Sequence, residues 1–224
     1  MKKLSQLSRS IFGSVAIVTG AASGMGRATA HLFADEGARL GILDINGAGL
    51  ETVAGEIRAI GGEVLALTVD LSSRDAVEQA VLAVAAHFGA IDILVNNAGG
   101  FPPKPVAKTP AREVEGAFRL NVSTAFELSR ICAPLMVETA GSGAILNISS
   151  IAGHRPTPCF AAYGTAKGAL SFLTQELAQE FAPKVRVNAI AVGSTKTDAL
   201  GTVLTPEIEQ VMVDLTPMAR LGEV

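Results

Sequence analysis

The sequence predicts an α/β fold built on one parallel β-sheet with helices on both of its faces. Three observations carry that prediction. Short apolar runs of strand character alternate with longer amphipathic segments from end to end. Glycines stand where the helices should stop, at Gly37, Gly61-Gly62 and Gly89. Of the 224 residues, 49% are hydrophobic and 17% charged, a balance that suits strands buried on both faces.

Taken in order, residues 15–19 (Val-Ala-Ile-Val-Thr) read as a buried strand, followed by a helix over about 24–36. Residues 40–44 form the second strand, and a helix runs over 50–60. The third strand is 64–69. The helix after it, 75–88, sets Val77, Val81, Val84 and Phe88 on one face. Residues 91–95 make the fourth strand. One long helix over about 112–137, a fifth strand at 144–148, a helix over 161–181 and a sixth strand at 185–190 complete the pattern. Parallel strands joined through helices cross over right-handedly and collect ligands at their carboxyl ends. No repeat, low-complexity tract or linker interrupts the series, so residues 1–224 are expected to form a single domain.

Composition excludes several classes. No apolar stretch reaches the roughly 18 residues that a membrane helix needs. Met1-Lys2-Lys3-Leu4-Ser5-Gln6 is followed by no apolar core, so a secretion signal is not expected. Two cysteines, Cys132 and Cys159, read as free thiols, and cytoplasmic location is the expectation. A net charge of -3 gives no reason to expect a nucleic-acid partner. Scattered His and Cys lack ligand spacing, so no metal is predicted. The sequons at Asn121 and Asn147 fall inside elements expected to be buried, and are set aside.

Directly after the first strand comes Gly20-Ala21-Ala22-Ser23-Gly24-Met25-Gly26. Glycines here permit a tight turn, close approach of backbone to a pyrophosphate and close helix packing, with the helix N-terminus facing the phosphates. The second strand ends in Asp44. An acid there accepts hydrogen bonds from both ribose hydroxyls and repels a 2′-phosphate, which favours NAD over NADP. Ser23, where a cation would suit that phosphate, points the same way; Arg27 and Arg39 could oppose it. The third strand ends in Asp70-Leu71 and the fourth in Asn96-Asn97-Ala98-Gly99, tips expected beside the same crevice. The doubly wound, Rossmann-type arrangement follows.

Tyr163, the only tyrosine, and Lys167 are four apart on a predicted helix and share one face. A phenol with an ordinary pKa of about 10 is too weak a base at neutral pH, but a nearby ammonium favours the phenolate. This glycine pattern, Asn-Asn-Ala-Gly, Ser150 and the Tyr-x-x-x-Lys pair together resemble the short-chain dehydrogenase/reductase family, from about residue 11 to the end. The resemblance implies an oxidoreductase interconverting a secondary alcohol and a ketone by hydride transfer with NAD(H). It implies Tyr163 as general acid/base and Ser150 orienting the substrate oxygen. Lys167 would tune Tyr163 and grip the nicotinamide ribose, and Asn121 would hold a water that links Lys167 to solvent. Val192-Gly193-Ser194-Thr195-Lys196-Thr197 resembles the family's cofactor-closing segment, with Thr195 and Thr197 contacting the cofactor and Val192 where proline is usual.

Within the family, Gly99-Gly100, Pro103-Lys104-Pro105, Thr197-Asp198-Ala199-Leu200 and 204–210 are similar to bacterial 7α-hydroxysteroid dehydrogenases, whereas Ala152-Gly153-His154-Arg155-Pro156 follows the general pattern. Residues 195–218 would be the substrate loop, with Phe101, Phe160 and Met212 as candidate pocket wall and His154 near it. A homodimer or homotetramer is implied, through the helices bearing Asn121 and Tyr163 and their Ala117, Phe118, Leu128, Ile131, Leu170, Phe172 and Leu173. Alternatives are a 3-oxoacyl-thioester reductase, opposed by Asp44, and a nucleotide-binding scaffold without turnover, opposed by the intact Ser150, Tyr163 and Lys167. Family members continue past Val224 into a helix and a seventh strand. The expectation is therefore a missing C-terminal strand, an open edge at the sixth strand and a substrate loop without its downstream anchor.

Overall fold

The computed structural model describes residues 10–201 and 204–224, leaving out the side chains of Asp198 and Ala199. Six strands form the sheet: β1 (Val15–Thr19), β2 (Arg39–Asp44), β3 (Val64–Thr68), β4 (Ile93–Asn96), β5 (Gly143–Ser150) and β6 (Val185–Val192). Every pairing is parallel, in the spatial order β3-β2-β1-β4-β5-β6. The order reverses between β1 and β4, and that switch point opens the crevice at the strands' carboxyl ends.

The apolar run of β1 serves two cores at once. Ala16 and Val18 pack with α1 (Gly24–Asp35) and α2 (Gly47–Ala59). Val15 and Ile17 pack on the other side with α3 (Arg74–Phe88), α5 (Thr124–Ala140) and α6 (Ala161–Phe181). All five β1 residues are buried, as a central parallel strand requires. Local chemistry sets the helix ends. Asn46 caps α2 through Gly49 N (3.1 Å), Ser73 caps α3 through Ala76 N, and α3 stops at Gly89 with φ of 78°.

The structure departs from the sequence reading in three places. The expected continuous helix over 112–137 is α4 (Ala111–Phe118), a π turn at Arg119–Ser123, and then α5. The widened turn leaves the Ala117 carbonyl to the Asn121 side chain, which donates to it at 2.9 Å. Residues 195–218 are not all loop: they hold α7 (Asp198–Gly201) and α8 (Pro206–Asp214), the latter capped by Thr205 through Ile208 N. That stretch is also anchored downstream. Gly222 N donates to Ser194 O (2.9 Å), Lys196 N donates to Gly222 O (2.8 Å), and Leu221 is buried. An ion pair of 2.8 Å between Lys196 and Glu209 ties α8 to the same segment. Among the described residues β6 pairs only with β5, and Arg186 and residues 188–191 are exposed.

No helix of the described residues is long and apolar enough to cross a membrane. The reading of Met1 to Gln6 lies outside the described residues.

Candidate active site

The turn after β1 and the tip of β4 are built as one piece. The Thr19 hydroxyl donates to Val95 O and accepts from Asn97 N and Ala98 N, both at 3.0 Å. The Asn97 side chain donates to Thr19 O (2.9 Å) and Gly20 O (3.2 Å). Gly26 lies directly against this knot: any Cβ there would run into the Gly20 carbonyl and the Asn97 amide. Gly20 itself has φ of 66°. Asn97 is thus a brace of the nucleotide turn, and its side chain is committed to backbone carbonyls. A glycine turn that opens into a helix N-terminus, as this one does at Gly24, is what a phosphate needs. Gly24 has Thr197 above it, 3.4 Å from where a Cβ would stand. Ser23, exposed, and Met25, half-buried, flank Gly24 on the same turn.

Asp44 ends β2 with its carboxylate turned toward this turn. One oxygen accepts from Ala22 N (3.0 Å), the other from Asn46 N (2.9 Å). Each retains a lone pair for a ribose hydroxyl. Neither arginine opposes it. Arg39 bonds Gly13 O and Phe88 O and lies over the Phe88 ring, while Arg27 pairs with Glu56. A cleft of about 230 Å³ opens beside Asp44, bounded by Gly20, Asp70, Leu71, Ala98, Arg119 and Leu120. Asp70 is held below the usual carboxylate range by the Ser72 backbone N–H. Arg119 and Leu120, which the sequence reading did not single out, arrive here on the π turn.

Ser150, Tyr163, Lys167 and Asn121 converge at the carboxyl ends of β4 and β5. Lys167 is almost wholly buried, and its ammonium donates to Ile148 O at 2.6 Å. Burial pulls its pKa down to about 8. Burial pushes the Tyr163 phenol above its ordinary value, and hydrogen bonding with Ser150 works against that. The Lys167 nitrogen lies 5.8 Å from the Tyr163 ring centre, and the Phe160 ring meets Tyr163 edge-on at 5.7 Å. Asn121 accepts from Gly100 N (2.9 Å) and donates to Gly100 O (3.0 Å), so its side chain locks the loop after β4. Gly99 fits between the two polar groups: a Cβ would stand 2.7 Å from Asn121 Oδ1 and 3.0 Å from Lys167 Nζ.

The remaining candidates are dispersed. Thr195 pairs with Gly222, and Thr197 accepts from Leu200 N at 3.2 Å as the cap of α7. Phe101 packs with Ala117, Ala162 and Ala166. His154 Nε2 lies 3.1 Å from the Ser171 hydroxyl, one turn past Lys167 on α6. Met212 is half-buried on α8. Among the described residues no cluster of His, Cys, Asp or Glu is placed to hold a metal.

Comparison with known proteins fits this geometry. Residues 14–207 match the family model described as short chain dehydrogenase. The chain belongs to this family. It is 41% identical to the 7alpha-hydroxysteroid dehydrogenase of Escherichia coli strain K12 over 212 residues, covering 94% of this chain and 82% of that one. A solved 7 alpha-hydroxysteroid dehydrogenase complexed with NADH and 7-oxo glycochenodeoxycholic acid superposes with a TM-score of 0.92. The two are 40% identical, over 95% of this chain and 83% of that one. An NAD+-bound xylitol dehydrogenase superposes at 0.88 with 34% identity, over 96% of this chain and 89% of that one.

As a short-chain dehydrogenase the chain is an oxidoreductase acting on CH–OH groups. The features that sequence reasoning missed in it are braces rather than reacting groups. Thr19 had a readable signal, a hydroxyl at the end of the first strand facing the Asn97 tip. The bond from Ser149 to Lys167 O had none, because it joins residues 18 apart in sequence.

Proposed function

We propose that this short-chain dehydrogenase uses NAD(H) to interconvert a hydroxysteroid and its ketone, with Ser150, Tyr163 and Lys167 as its catalytic residues. The observation that carries the chemistry is the meeting of Ser150, from the end of β5, with Tyr163 and Lys167, from α6, beside a glycine turn that ends at the Asp44 carboxylate. The glycine turn leading into the N-terminus of α1 and the free lone pairs of Asp44 fit NAD. Bound NAD⁺ supplies the hydride acceptor and a positive charge that favours the Tyr163 phenolate.

In alcohol oxidation the Ser150 hydroxyl holds the substrate oxygen, and the Tyr163 phenolate takes its proton. Lys167, titrating near pH 8, is poised to exchange that proton close to neutrality. Water at Asn121 completes the path to solvent. Its amide N–H groups are spent on Gly100 O and Ala117 O, so that water meets Asn121 through an oxygen acceptor. Reduction runs the same steps backwards, with the Tyr163 phenol as donor.

The steroid assignment rests on the 7alpha-hydroxysteroid relatives and on apolar groups near Tyr163: Phe160 against its ring, and Phe101 packed on Ala162 and Ala166 of the same helix. Assembly as a homodimer or homotetramer through α5 and α6, in the cytoplasm where Cys132 and Cys159 stay reduced, completes the proposal. Tyr163→Phe should lower kcat by about 10²–10⁴-fold and leave NADH affinity within about twofold, because it removes the proton donor and little cofactor contact. A panel of hydroxysteroids, small secondary alcohols and oxoacyl thioesters, followed by nicotinamide absorbance, tests the substrate. Turnover of thioesters alone would replace the steroid reading with thioester reduction.

A further inference from the structure

Ser150 reaches the site on a strand, whereas Tyr163 and Lys167 stand on a helix, so their spacing depends on how the end of β5 meets α6. The two meet backbone to backbone. A Cβ on Gly153 would lie 2.6 Å from Gly168 N and 2.7 Å from the Lys167 carbonyl carbon. One on Gly164 would lie 2.7 Å from Ala152 O, and one on Gly168 would lie 3.0 Å from Gly153 O. Gly164 and Gly168 are one turn apart on α6 and directly follow Tyr163 and Lys167. The same junction is clasped by side chains. Ser149 and Ser171 can each donate to Lys167 O at 3.0 Å, lie 2.7 Å from one another, and Ser171 meets His154.

We propose that the turn Ile151–Gly153 sits in a glycine seat on α6 whose depth sets the distance from Ser150 to Tyr163. Gly153, Gly164 and Gly168 are its positioning residues, and Ser149, Ser171 and His154 its clasp. The atoms facing each glycine are main chain, so an added methyl cannot be absorbed by a rotamer change. The turn must lift, and Ser150, one residue before it, lifts too. Hydrogen bonding weakens steeply over such a displacement. The inference rests on the roles given to Ser150 and Tyr163 above.

The chain offers an unusually clean probe, since Tyr163 is its only tyrosine and it has no tryptophan. Phenolate absorbance of the cofactor-free enzyme therefore titrates Tyr163 alone. Hydrogen bonding with Ser150 lowers the Tyr163 pKa, so lifting Ser150 should raise it. Gly168→Ala, with the milder contact, should move the titration to higher pH and lower kcat about tenfold. Gly153→Ala should do both more strongly, approaching the roughly 100-fold loss that a 1 Å misplacement brings. NADH affinity should stay within about twofold in both. Gly55→Ala, on α2 where nothing lies within 4 Å, should change neither.

A folded Gly168→Ala enzyme with wild-type kcat and Tyr163 titration overturns the seat, whether or not Gly153→Ala folds. So does a loss of NADH affinity in step with kcat, which would mean general distortion of α6. Ser150→Ala separates the two levels of the argument. If it raises the Tyr163 titration while the glycine variants do not, only the seat fails; if it leaves the titration unmoved, the Ser150–Tyr163 pairing itself fails.

Discussion

Lys167 is held in a place that disfavours its charge. Its pKa near 8, against 10.5 unperturbed, means that the folded protein binds this proton less tightly than the unfolded chain does. The penalty is largest below pH 8, where both states carry the charge, and fades between pH 8 and 10.5 as only the unfolded chain keeps it. At about 1.4 kcal/mol per pKa unit it amounts to roughly 3 kcal/mol, reduced by whatever the bond to Ile148 O returns. Lys167→Met should therefore abolish turnover and yet raise Tm at pH 6–7, with the gain shrinking above about pH 8. Calorimetry across that range checks it, and a destabilised variant at pH 6 would contradict the sign. Asp44 gives the second residue-scale prediction. The wild-type enzyme should bind NADH more than about tenfold tighter than NADPH, each tenfold being about 1.4 kcal/mol. Asp44→Ala should narrow that ratio and destabilise the fold by about 0.5–1.5 kcal/mol, because Ala22 N and Asn46 N exchange their acceptor for water. Equal wild-type affinities by titration calorimetry would remove Asp44 from the cofactor site.

Elements were legible in proportion to how much of their pattern is local. Helix α6 was read at both ends, and each strand within a few residues, because apolar runs and glycine stops announce them. The π turn was not, since one inserted residue shifts the helical period without erasing it: Ala117 before it and Leu128 after it are both fully buried. The chemistry-bearing residues were legible by type and spacing, whereas their supports, Thr19, Arg119 and the glycine seat, act across the chain and leave no periodic trace. Helix α8 is a different failure, because its signal was present. Thr205 followed by Pro206 is a cap followed by the residue best suited to a first helical position. That cap predicts function as well as structure. Thr205→Ala should weaken α8 by about 1 kcal/mol, speed hydrogen exchange over 206–214, and raise the substrate KM with NADH affinity unchanged. Unaltered exchange in α8 would show that the Lys196–Glu209 pair and the Gly222 contacts hold the helix without its cap.

For the molecule as a whole, the proposed assembly needs a surface that meets a second copy. The apolar content of α4, α5 and α6 first suggested them, but most of it is spent inside one chain: Ala117, Leu128 and Leu170 are almost wholly buried, and Ile131 nearly so. What remains outside is narrower. On α5, Phe126 and Val137 are 40% and 39% exposed, in a stripe with Arg130 and Pro134; on α6, Phe172 is 61% exposed. Large aromatics on a helical face are the usual anchors of a two-fold interface, where the same patch meets itself. The competing surface is the β6 edge, which pairs only with β5 among the described residues and carries Ile190 half-exposed. An edge of that kind recruits further strands and favours open-ended association over a closed dimer. The two surfaces predict different responses to single charges. Phe172→Glu should convert a dimer or tetramer to smaller species in sedimentation at micromolar concentration, while Ile190→Lys should leave the discrete species intact and suppress only larger aggregates. A mass of one chain for the wild-type protein would reject the helical interface. If Ile190→Lys instead dissolved the discrete assembly, the contact would have to be moved from the helices to the sheet edge.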